Sequence, residues 1–230
     1  MENNKKYRLL ARAQLGNDVF RNKWLTMLAV CCVVIFADVF LWSGPLSNFY
    51  IGPIFGVILG GPLVYGMTKA MLECARGERW SFTHILHGFT DCFGGSIILG
   101  FLEGLFIAVR MVLLIVPGII AVYSYSMAFY IQCDYPEKEA IDCLHESRDM
   151  MKGNKWKLFC LDFSFFGWYL LGALCLGVGI LFVVPYHEMA RTNFYEALAK
   201  KHEAEMTEKM IAEMEAKATE LEELEKLAKE

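Results

Sequence analysis

Residues 111–133 read MVLLIVPGIIAVYSYSMAFYIQC, and none of them carries a formal charge. An uncharged run of that length meets the requirement of about 20 apolar residues for a helix that crosses a bilayer core. Two more charge-free runs, 24–37 and 39–68, lie upstream. Of the 230 residues, 56% are AVILMFWYC and 21% are charged, against roughly 25% charged in a soluble domain. A soluble globule is the first class to discard, and a small multi-span integral membrane protein takes its place.

The stretch around this run, Cys92–Gln132, is too long for one crossing at about 1.5 Å rise per residue. Val116-Pro117-Gly118 offers a turn, which predicts a third crossing near 93–114 and a fourth near 119–132. The alternative is one long helix kinked at Pro117. Upstream, the basic lead 5–22 places Tyr7, Leu10, Ala11, Leu15 and Val19 at helical spacing, as in a helix lying in the membrane interface. No A-x-A-like exit follows it, so it leads into an uncleaved first crossing, 24–41, flanked by Trp24 and Trp42. Gly44-Pro45 ends that crossing. In the second, 51–72, Gly52, Gly56 and Gly60 recur every fourth residue and form a small face that lets a neighbouring helix approach.

Downstream, an amphipathic helix over 137–151 has Ala140, Ile141, Leu144, Met150 and Met151 as its apolar residues and Gly153-Asn154 as its stop signal. Ile141 and Leu144 are expected to dip toward the acyl boundary. A fifth crossing follows over 156–174, then a reversal at Gly177-Val178-Gly179 and a sixth crossing over 180–198 containing Pro185. The fold class is therefore all-α: a polytopic transmembrane helical bundle of about six spans, with interfacial helices and a cytoplasmic C-terminal helix. On this plan 21 of the 22 basic residues fall on one side, Arg110 being the exception. The positive-inside tendency then puts both termini in the cytoplasm. A single tilted span through 158–184 would instead export the six lysines of the tail.

That tail carries the whole net charge. Residues 200–230 hold ten glutamates and six lysines, so the overall −4 belongs there and residues 1–199 balance to zero. This divides the chain into a membrane domain, 1–198, and a charged helical tail, 199–230. A neutral body with an acidic appendage offers nucleic acid no basic field. The eight cysteines, at 31, 32, 74, 92, 133, 143, 160 and 175, form no CxxC pair and no zinc-ligand spacing. They read as small buried hydrophobes, and neither a metal nor a cofactor is expected.

Charges inside the apolar runs are the candidate functional groups. Asp38, Glu103 and Arg110 would each cost at least about 2.5 kcal/mol facing lipid, which points to one intramembrane polar network. At Pro117 and Gly118 the helix break frees carbonyls. The face Tyr123, Ser126, Tyr130 could donate hydroxyls across a helix interface. In the tail, Met206, Met210, Met214, Leu221 and Leu224 form a narrow near-heptad stripe, a candidate interface for a protein partner or for self-association. His84, His87 and Asp91, and His187 with Glu188, are placed near the cytoplasmic surface. No nucleophile stands beside a base, and there is no phosphate loop or HExxH signature. No catalytic residue is assigned.

Several motifs occur in order: Val116-Pro117-Gly118-Ile119-Ile120, Tyr123-Ser124-Tyr125-Ser126-Met127-Ala128, Met151-Lys152-Gly153, Lys155-Trp156-Lys157-Leu158-Phe159, Leu161-Asp162-Phe163-Ser164-Phe165-Phe166-Gly167-Trp168, Pro185-Tyr186 and Phe194-Tyr195. Through these, residues 5–198 resemble the bacterial integral membrane family known as domain of unknown function 975. More distantly, that family is similar to the membrane domain attached to some glycerophosphodiester phosphodiesterases. The resemblance implies a bacterial cytoplasmic membrane location and a fold, with no catalytic pattern. The expected function is non-enzymatic: binding or moving a small or amphiphilic molecule through a polar intramembrane cavity, with membrane lipid as the standing partner. The alternative is a scaffold or regulatory subunit acting through the C-terminal helix, and a membrane-embedded enzyme ranks third.

Overall fold

The computed structural model describes residues 2–15, 27–29, 31–32, 51–77, 87–113, 115–174 and 178–227. Among these every regular element is a helix: α1 (Glu2–Leu15), α2 (Ile51–Arg76), α3 (His87–Thr90), α4 (Phe93–Leu113), α5 (Ile115–Tyr125), α6 (Ala128–Asp134), α7 (Ala140–Met150), α8 (Lys155–Leu174) and α9 (Val178–Leu227). The chain forms two compact units, Met1–Tyr195 and Glu196–Glu230. Of the first expected crossing only residues 27–29 and 31–32 are described, and they are helical.

Among the described residues, three stretches are long and apolar enough to cross a membrane: Phe93–Val112, Val116–Asp134 and Lys155–Leu174. Their shares of buried residues, 11%, 50% and 22%, identify the middle one as the centre of the bundle. The outer two turn Ile98, Phe101 and Val109, and Phe163, Phe166 and Leu171, outward. A continuous apolar exterior is unfavourable in water and natural against lipid tails.

Two reversals set the bundle's connectivity. A Cβ added at Gly118 would sit 2.5 Å from Met111 Cγ, and the rings of Phe106 and Tyr125 stack at 5.9 Å. On one straight helix those two rings would be roughly 28 Å apart, so α4 and α5 form a hairpin and the single kinked helix is not what forms. Pro117 stands in the first turn of α5, where a missing N–H costs little. The second reversal brings Gly172 and Gly179 together, with a Cβ at Gly179 only 2.6 Å from Gly172 Cα. It separates α8 from α9 and replaces the single tilted span through 158–184.

The central stretch is itself broken, at Ser126-Met127 between α5 and α6 rather than at Pro117-Gly118. Backbone groups released inside a membrane need an internal partner, and Ser147 of α7 provides it. Its hydroxyl donates to the Ser124 carbonyl at 2.9 Å and accepts from the Met127 N–H at 3.2 Å. The amphipathic helix expected along the interface thus docks on the protein: Ala140, Cys143, Leu144, Ser147 and Met150 are buried, whereas Ile141 is exposed. Leu144 meets protein instead of the acyl boundary because it shares the 3.6-residue face of Cys143 and Ser147, and Ile141 does not.

Glycine determines how α2 meets α4, although at a different residue from the expected stripe. A methyl group at Gly61 would overlap the Ser96 carbonyl, and Gly100 lies against Gly61 Cα. The lead helix α1 is fastened to the bundle: Gln14 donates to the Ala75 carbonyl at 2.9 Å and accepts from the Asn193 amide at 2.6 Å.

Candidate functional site

The close packing of α2 on α4 leaves a hollow beside the contact. This cavity of about 470 Å³ is walled by Gly60, Gly61 and Val64 of α2, by Phe129 of α6 and by α4 between Gly100 and Ala108. Among the described residues of its wall Glu103 is the one that carries a charge. Val64, Phe101 and Leu105 on its wall are exposed, so it borders the apolar exterior of the bundle. Among the described residues no side chain donates a hydrogen bond to Glu103.

Arg110 stands two helical turns further on, and about 10 Å of helix axis separates it from Glu103. Its guanidinium donates to the Tyr125 hydroxyl at 2.6 Å and lies 5.2 Å from the centre of that ring. Arg110 and Glu103 are therefore in different environments, the first held by α5 across the hairpin and the second open to the cavity. Asp38 lies outside the described residues. Of the expected hydroxyl face, Tyr123 meets Phe159 of α8 edge-on with ring centroids 5.9 Å apart, and Tyr130 stacks on Tyr195 at 5.0 Å. Ser126 turns back to its own helix and donates to the Tyr123 carbonyl at 3.1 Å.

Behind these residues the α8/α9 hairpin assembles a second group of charges. His187 Nε2 lies 2.9 Å from Asp162 Oδ1, and His187 Nδ1 lies 3.0 Å from the Tyr169 hydroxyl. Phe165, fully buried, packs its ring on the imidazole at 4.7 Å. Arg191 approaches Asp162 at 3.9 Å and Glu188 at 3.8 Å, and its buried Nε makes no hydrogen bond. Sequence reading singled out His187 and Glu188, with Arg191 as a charge of the same helix that must face protein or water, but missed Asp162 and Tyr169. Position 162 is an isolated acid in an aromatic run. Its partners are 25 and 29 residues away, and only the reversal at 172–179 brings them close. The available signal was the spacing of His187, Glu188 and Arg191 on one helix.

Of the other candidates, His84 and the side chain of His87 lie outside the described residues, and Asp91 pairs with Lys69. Among the described residues the cysteines are unbridged. Burial, followed by the charge of Glu146, pushes the Cys143 thiol on α7 up to about 11, so it stays a thiol at neutral pH. In the second unit Met206, Met210 and Met214 are exposed, and the side chains of Leu221 and Leu224 are outside the described residues.

Residues 102–202 match the family model described as protein of unknown function (DUF975). That segment contains Glu103, Arg110, both reversals and the whole Asp162–His187–Arg191 group. No curated protein matches the chain, and no solved structure does.

Proposed function

We propose that this chain, which matches the DUF975 family model over residues 102–202, belongs to that bacterial integral membrane family, binds or moves a small or amphiphilic molecule at membrane depth and is not an enzyme. The observation that carries this reading is Glu103, a lone carboxylate in the wall of an otherwise apolar cavity. Exposed to lipid, such a group costs about 2.5–3.5 kcal/mol on insertion scales, and a ligand's polar end would offset that cost. The glycine, leucine and phenylalanine wall suits the ligand's apolar body. Because the cavity borders the bundle's apolar exterior, the bilayer itself can supply the molecule. Six spans with both termini cytoplasmic complete the reading, on the strength of the one-sided lysine and arginine distribution. The distant likeness to phosphodiesterase membrane domains adds no activity, since it brings no catalytic pattern.

The test is purification in native lipid particles followed by mass spectrometry of what is retained. A stoichiometric amphiphile is expected, and Glu103→Gln should release it while the helical content and melting behaviour persist. Retention unchanged by that substitution, or no retained molecule at all, refutes the reading. The scaffold alternative rests on the exposed Met206, Met210 and Met214 of the second unit. A co-purifying protein lost on deletion of residues 200–230 would favour it.

A further inference from the structure

We propose that the molecule taken up by the cavity is an amphiphilic cation, with an ammonium-type head that pairs with Glu103 and an apolar body held between α2, α4 and α6. The inference rests on the cavity reading above and adds to it the sign of the ligand's charge. Beside the Glu103 carboxylate the described wall consists of glycine, alanine, valine, leucine, isoleucine and phenylalanine. An ionised carboxylate only accepts hydrogen bonds, so the group that meets it is a donor. An anionic head would set two negative charges side by side where salt screens them little, and the described wall has no basic residue to offset them. A neutral head would leave the charge of Glu103 uncompensated at membrane depth. A cation relieves two costs at once, that of Glu103 and its own, because charged groups inside a bilayer are stabilised by pairing with one another.

The protein's own cations are engaged elsewhere. Arg110, on the same helix as Glu103, donates to the Tyr125 hydroxyl across the hairpin at 2.6 Å, and about 10 Å of helix axis separates the two charges. Arg191 of α9 stands between two acids of its own, Asp162 at 3.9 Å and Glu188 at 3.8 Å. Lys69 of α2 pairs with Asp91. The second feature of the wall is aromatic. A Cβ added at Gly100 would meet the Phe129 ring at 3.6 Å. Gly100 and Glu103 are three residues apart on one helix and so are neighbours on its surface, which sets the Phe129 ring beside the face of α4 that carries the carboxylate. Phe101 is also in the wall. The face of an aromatic ring attracts a cation through its quadrupole, so carboxylate and rings favour the same sign of ligand. Because Val64, Phe101 and Leu105 are exposed on the apolar exterior, a molecule already dissolved among the acyl chains reaches Glu103 without crossing the bundle.

The experiment uses the full chain in phosphatidylcholine nanodiscs with trace amounts of photoactivatable dodecylammonium, dodecanol and dodecyl sulfate, which share a chain and differ in the charge of the head. After illumination, peptide mapping measures the label on the cavity wall, residues 60–64, 100–108 and 129. The ammonium probe is expected to label this wall about tenfold or more above the alcohol, the discrimination that a desolvated charge pair provides, and the sulfate is expected to label it least. Glu103→Gln should bring the ammonium probe down to the level of the alcohol. Phe129→Leu, which keeps an apolar side chain, should lower the ammonium signal relative to the alcohol by roughly threefold. Equal labelling by ammonium and alcohol, or a preference for the sulfate, overturns the cationic ligand and leaves the cavity reading standing. An ammonium preference that survives Glu103→Gln overturns the pairing, and equal losses of both probes in Phe129→Leu overturn the part given to the ring. No label on the wall from any probe removes both readings. The comparison of the three heads is made on the parent protein, so it decides the question even where a variant fails to fold.

Discussion

At the scale of single residues, the bundle is governed by where a side chain is missing as much as by where one is present. At Gly61 the α2 backbone meets the Ser96 carbonyl with no room for a methyl group, whereas a Cβ at the adjacent Gly60 would have nothing within 4 Å. Two chemically identical substitutions one position apart should therefore differ. Gly61→Ala forces α4 away from α2, and an overpacking cost of about 1–3 kcal/mol is expected. Gly60→Ala should stay within about 0.5 kcal/mol of the parent protein. Thermal unfolding in a mild detergent, read by loss of tertiary fluorescence, compares them directly, and equal midpoints would disprove the close approach. Of the glycines spaced at 52, 56 and 60, the surroundings of Gly60 are described and are open, and the close contact falls on its neighbour Gly61. Spacing defines a face, and only the position of the partner backbone decides which residue on that face is in contact.

At the scale of elements, what the sequence made legible depended on how far apart the cooperating residues lie. The reversal between α8 and α9 was legible because Gly177-Val178-Gly179 is a local signal, and the α7 helix because its apolar period and Gly153 stop are local too. The break at Ser126-Met127 was not. It is satisfied by Ser147, which arrives from another helix 20 residues on, and a serine on an amphipathic helix looks like any polar residue. The ion group of Asp162, His187 and Arg191 was hidden for the same reason, being created by the hairpin. Glu103 and Arg110 were legible as charges inside an apolar helix, but their surroundings were not: seven residues on one helix puts them on similar faces yet too far apart to pair. The α4/α5 hairpin gives the sharpest element-level test, because its alternative was a single kinked helix. Phe106→Cys combined with Tyr125→Cys, in a chain whose native cysteines are replaced, should cross-link within one molecule through a short bifunctional reagent. The parent rings are 5.9 Å apart, and the kinked helix would hold these positions well over 20 Å apart. A pair that never cross-links, while a neighbouring control pair across α8 and α9 does, would refute the hairpin.

At the scale of the whole molecule, the two ends of the first unit differ in chemistry. One end gathers Asp134, which pairs with Arg76 at 2.8 Å and accepts from the Tyr195 hydroxyl at 2.7 Å. With it stand the Lys69–Asp91 and Lys138–Glu146 pairs. From Asp134 the chain leads back along α6 and α5 to the first reversal, and from Tyr195 back along α9 to the second, so both reversals belong to the opposite end. Neither reversal contains a lysine or arginine, and Arg110 just before the first is tied down by Tyr125. Lysine- and arginine-rich flanks are retained on the cytoplasmic side during insertion, so the Asp134 end should face the cytoplasm and residues 175–177 the exterior. The six lysines of the tail belong on the same side by the same rule. A reporter that works only outside the cytoplasm, inserted at 175–177, should be active, and the same reporter fused after Glu230 should be silent. A cytoplasm-dependent reporter should give the reverse pattern at both sites. Activity of the external reporter after Glu230 would mean an odd number of crossings. Because the two reversals already pair α4 with α5–α6 and α8 with α9, the error would then have to lie upstream of α4 or in the membrane passage of α9 itself.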